Sequence, residues 1–379
     1  MALPPPAVVG IPLADVDTPA LIVDLDAFER NLARMAGRAN ALGVRLRPHA
    51  KTHKSPLIAM KQIAHGAVGV CCQKVSEAEV LVAGGVPDVL VSNEVVGRVK
   101  LDRLAALSRA ARVALCIDTT ALIRDTAEAA ERAGMQLGVL VEIDVGGRRC
   151  GIAPGAPAAE LARLVDREPS LRFAGLQAYH GSAQHKRTHG ERRAAIGEAA
   201  DRVRVTLDAL ERSGLACETV GGAGTGTFEF EGASGIWNEL QPGSYVFMDG
   251  DYARNLGPDG RPVDSFEHAL FLHVTVLSTN GSDRAVIDAG HKAVSNDSGF
   301  PDIVGRSGAV YHRPSDEHGV LDLTRCNDRP RVGDKLRLIP GHCDPTVNLH
   351  DWCIGVRGLG SADPHVTEIW PVAARGAVF

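Results

Sequence analysis

Two short stretches, far apart in a chain of 379 residues, hold side chains that can serve one reaction. Pro48-His49-Ala50-Lys51-Thr52-His53-Lys54 follows a short strand-like run. It offers Lys51 at a strand end, where an amine can form a Schiff base with a carbonyl. Gly341-His342-Cys343-Asp344-Pro345-Thr346-Val347-Asn348-Leu349-His350-Asp351 lies in a β-patterned tail. On an extended chain His342 and Asp344 share one face, and an imidazole with a carboxylate suits a hard divalent cation. A carbonyl cofactor beside a Lewis acid is enzyme chemistry.

Each candidate also has an ordinary reading. Lys51 is a Schiff-base lysine or a solvated lysine between strand and helix; His49 and His53 are a metal pair or polar groups around it. The glycine-rich stretch Gly221-Gly222-Ala223-Gly224-Thr225-Gly226-Thr227 cradles a phosphate through bare N–H groups or simply makes tight turns. Arg149, within Asp144–Cys150, meets an anionic cofactor oxygen or lies on the surface. His342 and Asp344 are metal ligands, or a loop histidine and a turn-forming Asp-Pro. The thiols Cys71, Cys72 and Cys343 read as buried and incidental.

The elements that must position these residues change character near residue 260. Before it, strand-like runs near 44–49, 67–72, 88–92, 112–117, 138–143, 173–178, 217–221 and 244–248 alternate with helical patterns such as Ser76–Ala83 and Arg98–Leu107. An opening helix is expected from Asp26 as N-cap, with Glu29 three residues on, Phe28, Leu32, Met35, Ala39 and Leu42 at helical spacing, and Gly43 as the stop. Segment 222–243 is rich in glycine and reads as loops. Eight β/α units predict an α/β (β/α)8 barrel over 25–260, with an open doubly wound sheet as the fallback. Lys51, Gln73, Asn93, Asp118, Asp144, Tyr179 and the Gly221–Thr227 loop then all fall at C-terminal strand ends, where barrel chemistry sits. Residues 261–379 read as a mainly β domain, with strands at His268–Leu277, Arg284–Asp288, Leu336–Ile339 and Val366–Ile369; a strand near 15–24 is expected to join it.

Bulk properties narrow the partners. A formal net charge of -5 without basic runs argues against nucleic acid. No apolar run reaches the roughly 18 residues of a membrane span. The opening MALPPPAVVGIPLADVDTP lacks a basic flank before an apolar core, so no secretory signal is expected. Eight cysteines, several in apolar strand patterns, read as reduced thiols, and the cytoplasm is the expected location.

Several motifs together resemble the D-threonine aldolases. They are PHAKTHK, CCQKVSEAE at 71–79, SNEVVG at 92–97, VEIDVGGRRCG at 141–151, LQAYHGSAQH at 176–185, GSYVFMDGDY at 243–252, DEHG at 316–319, PGHCDPTVNLHDW at 340–352 and the closing Ala373-Ala374-Arg375-Gly376. The likeness runs from about residue 15 onward. It implies an alanine-racemase-like, fold type III enzyme of pyridoxal 5'-phosphate (PLP), paired as a homodimer. It further implies that Lys51 bonds to PLP, that Gln73, Arg149 and Tyr179 line the ring, and that Gly222, Gly224 and Thr225, with Tyr245 nearby, hold the phosphate. His342 and Asp344 would bind a divalent metal, Mn²⁺ or Mg²⁺-like, and His185 would assist at the metal-bound water or the substrate hydroxyl. Two residues depart from the pattern: Ala223 interrupts a glycine run, and Arg148 stands where a small residue is common.

The implied activity is retro-aldol cleavage of D-threonine and other D-β-hydroxy-α-amino acids to glycine and an aldehyde. D-serine or D-3-hydroxyaspartate dehydratases share the fold but carry His-x-Cys; here Cys343 comes one place early and, on a strand, points away from His342 and Asp344, whereas a kinked strand would let it reach the metal and favour dehydration. A β-hydroxyaspartate aldolase has the same His-Cys-Asp-Pro. A non-catalytic PLP-binding carrier shares the barrel but lacks the β domain.

Overall fold

The computed structural model describes residues 4–281 and 283–379. Its first strand, β1 (Ala20–Asp24), is not part of the barrel; it runs parallel to Trp352–Arg357 and antiparallel to Leu270–Ser278, in the β domain's sheet. The helix that follows, α1 (Leu25–Leu42), is capped by Asp24, whose carboxylate accepts the N–H groups of Asp26 and Ala27 at 3.0 and 3.1 Å. The cap therefore falls two residues before the one expected. Asp26 and Glu29 instead hold Arg357 of the β domain. Gly43 ends the helix in the left-handed region, φ 68°, as its position predicts.

Eight parallel strands follow: β2 (Arg45–Leu46), β3 (Val70–Cys72), β4 (Asp88–Glu94), β5 (Arg112–Ile117), β6 (Leu137–Glu142), β7 (Leu171–Gln177), β8 (Thr219–Gly222) and β9 (Glu239–Leu240). Neighbours pair in register from β3 through β9 and back to β2. The remaining seam is joined beside the lysine island: Val68 N–H donates to Leu46 O at 2.9 Å, Cys71 N–H to Pro48 O at 2.8 Å, and His49 bridges Cys71. The five predicted runs from 67–72 to 173–178 become strands, and Val70–Cys72 and Leu137–Glu142 are buried along their whole length.

The expected eighth strand at 244–248 is a correction. Ser244–Val246 is a 3-10 turn, and Met248 is left-handed with φ 56°. Tyr245, Val246, Phe247 and Met248 are apolar because they plug the junction between barrel and β domain, where Asn31 donates to Val246 O and Ala269 to Phe247 O. The closing strand is β9, inside the stretch expected to be loops, which also contains a helix at Phe228–Ala233. The β domain adds Leu270–Ser278, Arg284–Ile287, Lys335–Ile339 and His365–Pro371, near the expected strands. It adds four that the pattern did not reveal: Asp302–Ile303, Val310–Pro314, Gly319–Asp322 and Trp352–Arg357. Among the described residues no helix is long and apolar enough to cross a membrane.

Candidate active site

The turn Ala50–Thr52 leaves β2 at the barrel mouth and carries Lys51. Its ammonium lies 3.1 Å from the Asp344 carboxylate, so the two islands meet. The Asp344 charge pushes the Lys51 amine above its ordinary range. Burial opposes ionisation of Asp344, but the charges of Lys51 and His342 outweigh it and hold the carboxyl well below the usual range. Asp344 also accepts from Ser244 Oγ at 3.4 Å.

The metal motif is not an extended strand. His342 is the last extended residue, φ -143° and ψ 121°, and caps a short helix, Cys343–Val347, with Asp344 in its first turn. Cys343 is fully buried, and its thiol lies 3.5 Å from Asp344 Oδ1 rather than on an opposite face. Its N–H donates to Asp249 Oδ2 at 3.0 Å. Beside it, Gly250 and Asp251 donate to Pro340 O and Gly341 O, both at 3.0 Å. The 249–251 segment therefore clamps the motif onto the barrel. His342 Nδ1 donates to Asp297 Oδ2 at 2.7 Å, which leaves Nε2 as the lone-pair nitrogen a cation needs. Asp297 is steadied by Ser295 and Ser298.

His49 and His53 are not a metal pair. His49 accepts the Lys51 N–H at Nδ1 (3.4 Å), and its Nε2 faces Ser92 Oγ (3.2 Å) and the Gln73 amide (2.9 Å). Burial, then the Lys51 charge, keeps this ring neutral. His53 accepts from Ser55 N–H and donates to Gln62 Oε1, and burial pushes it down to about 4. Gln62 in turn donates to the Tyr245 hydroxyl at 3.1 Å. The island's second lysine, Lys54, is buried against Glu77 at 2.8 Å and reaches the carbonyls of Ala374 and Ala377.

Tyr179 is close enough to Lys51 to feel its charge, and the Arg149 guanidinium sits 5.6 Å from the Tyr179 ring centre. Arg149 also faces Glu142 at 3.9 Å. Burial and the neighbouring Glu94 push Glu142 up to about 8. Gln73 supports His49, and among the described residues no hydrogen bond joins it to Lys51.

In the glycine-rich loop, a Cβ on Gly222 would lie 2.4 Å from Ala178 O, and one on Gly224 2.5 Å from Gln184 Oε1. Close approach of backbone thus excludes larger residues at Gly222, whereas at Gly224 the Gln184 side chain would have to shift. Ala223 adopts φ 72° and Arg148 φ 50°, so both departures from the family pattern occupy left-handed backbone that favours glycine. The loop is propped by Gln184, by Tyr245 N–H donating to Thr225 Oγ1 at 3.0 Å, and by Thr227 donating to Glu231, which burial pushes up to about 7. Among the described residues, the Gly224 and Thr225 N–H groups have no acceptor, which fits a loop able to receive phosphate oxygens. A cavity of about 570 Å³ borders Thr225–Thr227, Tyr252 and Phe266, but Lys51, His342 and Asp344 do not line it.

His185 ends a short turn, Gly181–His185, with its ring 5.5 Å from Tyr252 and its Nδ1 2.5 Å from Asp251 Oδ2. Asp251, Asp297 and Ser244 went unnoticed in the sequence. Asp251 and Ser244 lay inside a family-like motif, but nothing marked them out from ordinary polar residues.

Residues 23–251 match the model of the alanine racemase N-terminal domain, and 269–356 match a serine dehydratase domain. A D-threonine aldolase of Arthrobacter sp is 48% identical over 376 residues, covering 99% of this chain and 97% of that protein. The chain belongs to the D-threonine aldolase family. A 3-hydroxy-D-aspartate aldolase of Paracoccus denitrificans (strain Pd 1222) is 47% identical, covering 98% and 95%. The crystal structure of a D-threonine aldolase from Filomicrobium marinum superposes with a TM-score of 0.95 at 56% identity, covering 99% of this chain and all of that one.

Proposed function

We propose that this enzyme cleaves D-threonine and other D-β-hydroxy-α-amino acids to glycine and an aldehyde, using PLP and a divalent cation. The contact between Lys51 of the barrel (about 25–260) and Asp344 of the β domain (261–379, with 15–24) carries the reading. It sets an amine suited to a carbonyl cofactor beside a carboxylate suited to a cation. Lys51 is the amine for PLP, and Arg149, Tyr179 and Gln73 line its ring, Gln73 by way of His49. Gly222, Gly224, Thr225 and Tyr245 shape the phosphate end. His342 Nε2 and Asp344 hold the cation; one imidazole and one carboxylate suit Mn²⁺ or Mg²⁺ better than a thiolate-loving zinc.

Bound there, PLP would supply an electron sink for Cα, and a cation held by His342 and Asp344 would supply Lewis-acid polarisation at the β-hydroxyl. His185 accepts the β-hydroxyl proton as the Cα–Cβ bond breaks, the electron pair of that bond passes to Cα, and the aldehyde leaves. A proton delivered to Cα then completes glycine. The residue two places after His342 is Asp344, so the site lacks the His-x-Cys of a dehydratase, and Cys343 lies buried with its thiol 3.5 Å from Asp344 Oδ1. The same reading takes the enzyme as a cytoplasmic homodimer. The deciding experiment incubates the protein with D-threonine, D-serine and D-3-hydroxyaspartate, with and without Mn²⁺, and identifies the carbonyl product. Acetaldehyde from D-threonine is expected; faster pyruvate release from D-serine would replace the aldolase with a dehydratase.

A further inference from the structure

Neutral imidazole has one N–H and one bare nitrogen, and the partner of one decides the state of the other. His185 has such a partner. Its Nδ1 lies 2.5 Å from Asp251 Oδ2, and Asp251 is 4% exposed. The second Asp251 oxygen receives the guanidinium groups of Arg187 and of Arg254, the latter at 3.1 Å. Arg187 also donates to Asp251 O at 2.8 Å and to Asn255 Oδ1 at 3.0 Å, and Arg254 to Ser298 O at 2.6 Å. The carboxylate is thus held on both oxygens and cannot turn from the ring. Burial opposes its ionisation, yet His185 and Arg187 hold it well below the usual range, so it accepts rather than donates. Its backbone N–H is bonded to Gly341 O, the residue before His342.

We infer that Asp251 is a positioning residue: it fixes the Nδ1–H form of His185, keeps Nε2 bare, and ties that nitrogen to the frame of the His342–Asp344 motif. This rests on the reading of His185 as the group that takes the β-hydroxyl proton. A carboxylate behind an imidazole also stabilises the cation formed when the ring accepts a proton, so its removal acts on the chemical step more than on substrate binding. Arg187 and Arg254 serve Asp251 in this arrangement.

The test uses PLP-loaded enzyme with Mg²⁺, since Mn²⁺ is paramagnetic. ¹⁵N NMR of the ring nitrogens, assigned by their loss in His185→Gln, is expected to show Nδ1 protonated and Nε2 bare. Asp251→Asn is expected to keep PLP absorbance and bound metal and to hold KM within about twofold, while kcat falls roughly 10²-fold. Asp251→Glu should recover part of that loss, and Asp251→Asn should cost little more on top of His185→Gln. A wild-type ring protonated on Nε2 overturns the proposal, and this measurement decides even if the Asn variant does not fold. So does Asp251→Asn with unchanged kcat while His185→Gln is inactive, which leaves the His185 reading standing. A loss restored by excess metal would make Asp251 a loop anchor and overturn it too. His185→Gln with unchanged kcat would remove the base reading itself.

Discussion

The two ends of the barrel treat charge in opposite ways. At the floor, Arg47 is nearly buried between Asp88 (2.6 Å) and Glu239 (2.9 Å), Arg45 and Arg112 approach the same two carboxylates, and Arg172 meets Glu218 at 2.6 Å. They surround a cavity of about 500 Å³ above the small residues Ala114, Gly138 and Ala174. At the mouth, carboxyls crowd one another: Glu142 is pushed up to about 8, and Glu94 has a buried oxygen without a partner. Lys51 and Asp344 meet there at 3.1 Å. A floor whose charges are paired reads as stability, and a mouth whose titratable groups are shifted by burial and by one another reads as function.

Substitutions at the two ends should therefore separate activity from stability. Lys51→Ala should lower activity by at least about 10⁴-fold and abolish the borohydride-fixed adduct, while thermal unfolding changes little. Labelling on a different lysine would end its assignment. Asp344→Ala should cost roughly 10³-fold, as should chelation, with PLP absorbance retained. Cys343→Ala should stay active; loss of metal from it would bring the thiol into the site. At the floor the expectation inverts. Arg47→Met leaves the buried Glu239 and the half-buried Asp88 with only the longer contacts to Arg45 and Arg112, so stability should fall by about 3 kcal/mol. The rate per folded molecule should stay unchanged, and a fall in kcat at full occupancy of the native state would break the contrast.

The last effect is one of pH. His53 titrates at about 4 when folded against an ordinary 6.5, so in that window the unfolded chain binds more protons. Its contribution is fully present above pH 6.5 and is lost as pH falls to 4, by up to roughly 3 kcal/mol. Denaturant titrations should show that slope, and His53→Gln should flatten it; an unchanged slope would clear His53.

Much of this arrangement was legible because its parts are long or chemically rare. Strands such as Leu137–Glu142 announce themselves as apolar runs, and a lysine between two histidines stands out in any chain. What escaped notice is short or ordinary. Glu239–Leu240 is too brief to show a period, and the aromatic-rich Tyr245–Met248 mimics a strand because tertiary burial, not pairing, selects its residues. The bend at His342 was hidden because an i, i+2 spacing fits both a strand face and a helix cap. Asp297 and Asp251 find their histidines 45 and 66 positions away, which no local pattern encodes.

Lys54 joins the first island to the chain's last turns: its ammonium holds the carbonyls of Ala374 and Ala377, and its own carbonyl takes the Ala374 N–H at 2.9 Å. On the ribosome this means that Lys51 is made early and its surroundings late. Strands of the barrel emerge and pair while His342, Asp344 and the Ala374 anchor are still unsynthesised. An aldehyde meeting the nascent chain finds a lysine on an unfastened loop, without its counter-ion. Until those last turns are made, the amine stands without the carboxylate that raises its pKa.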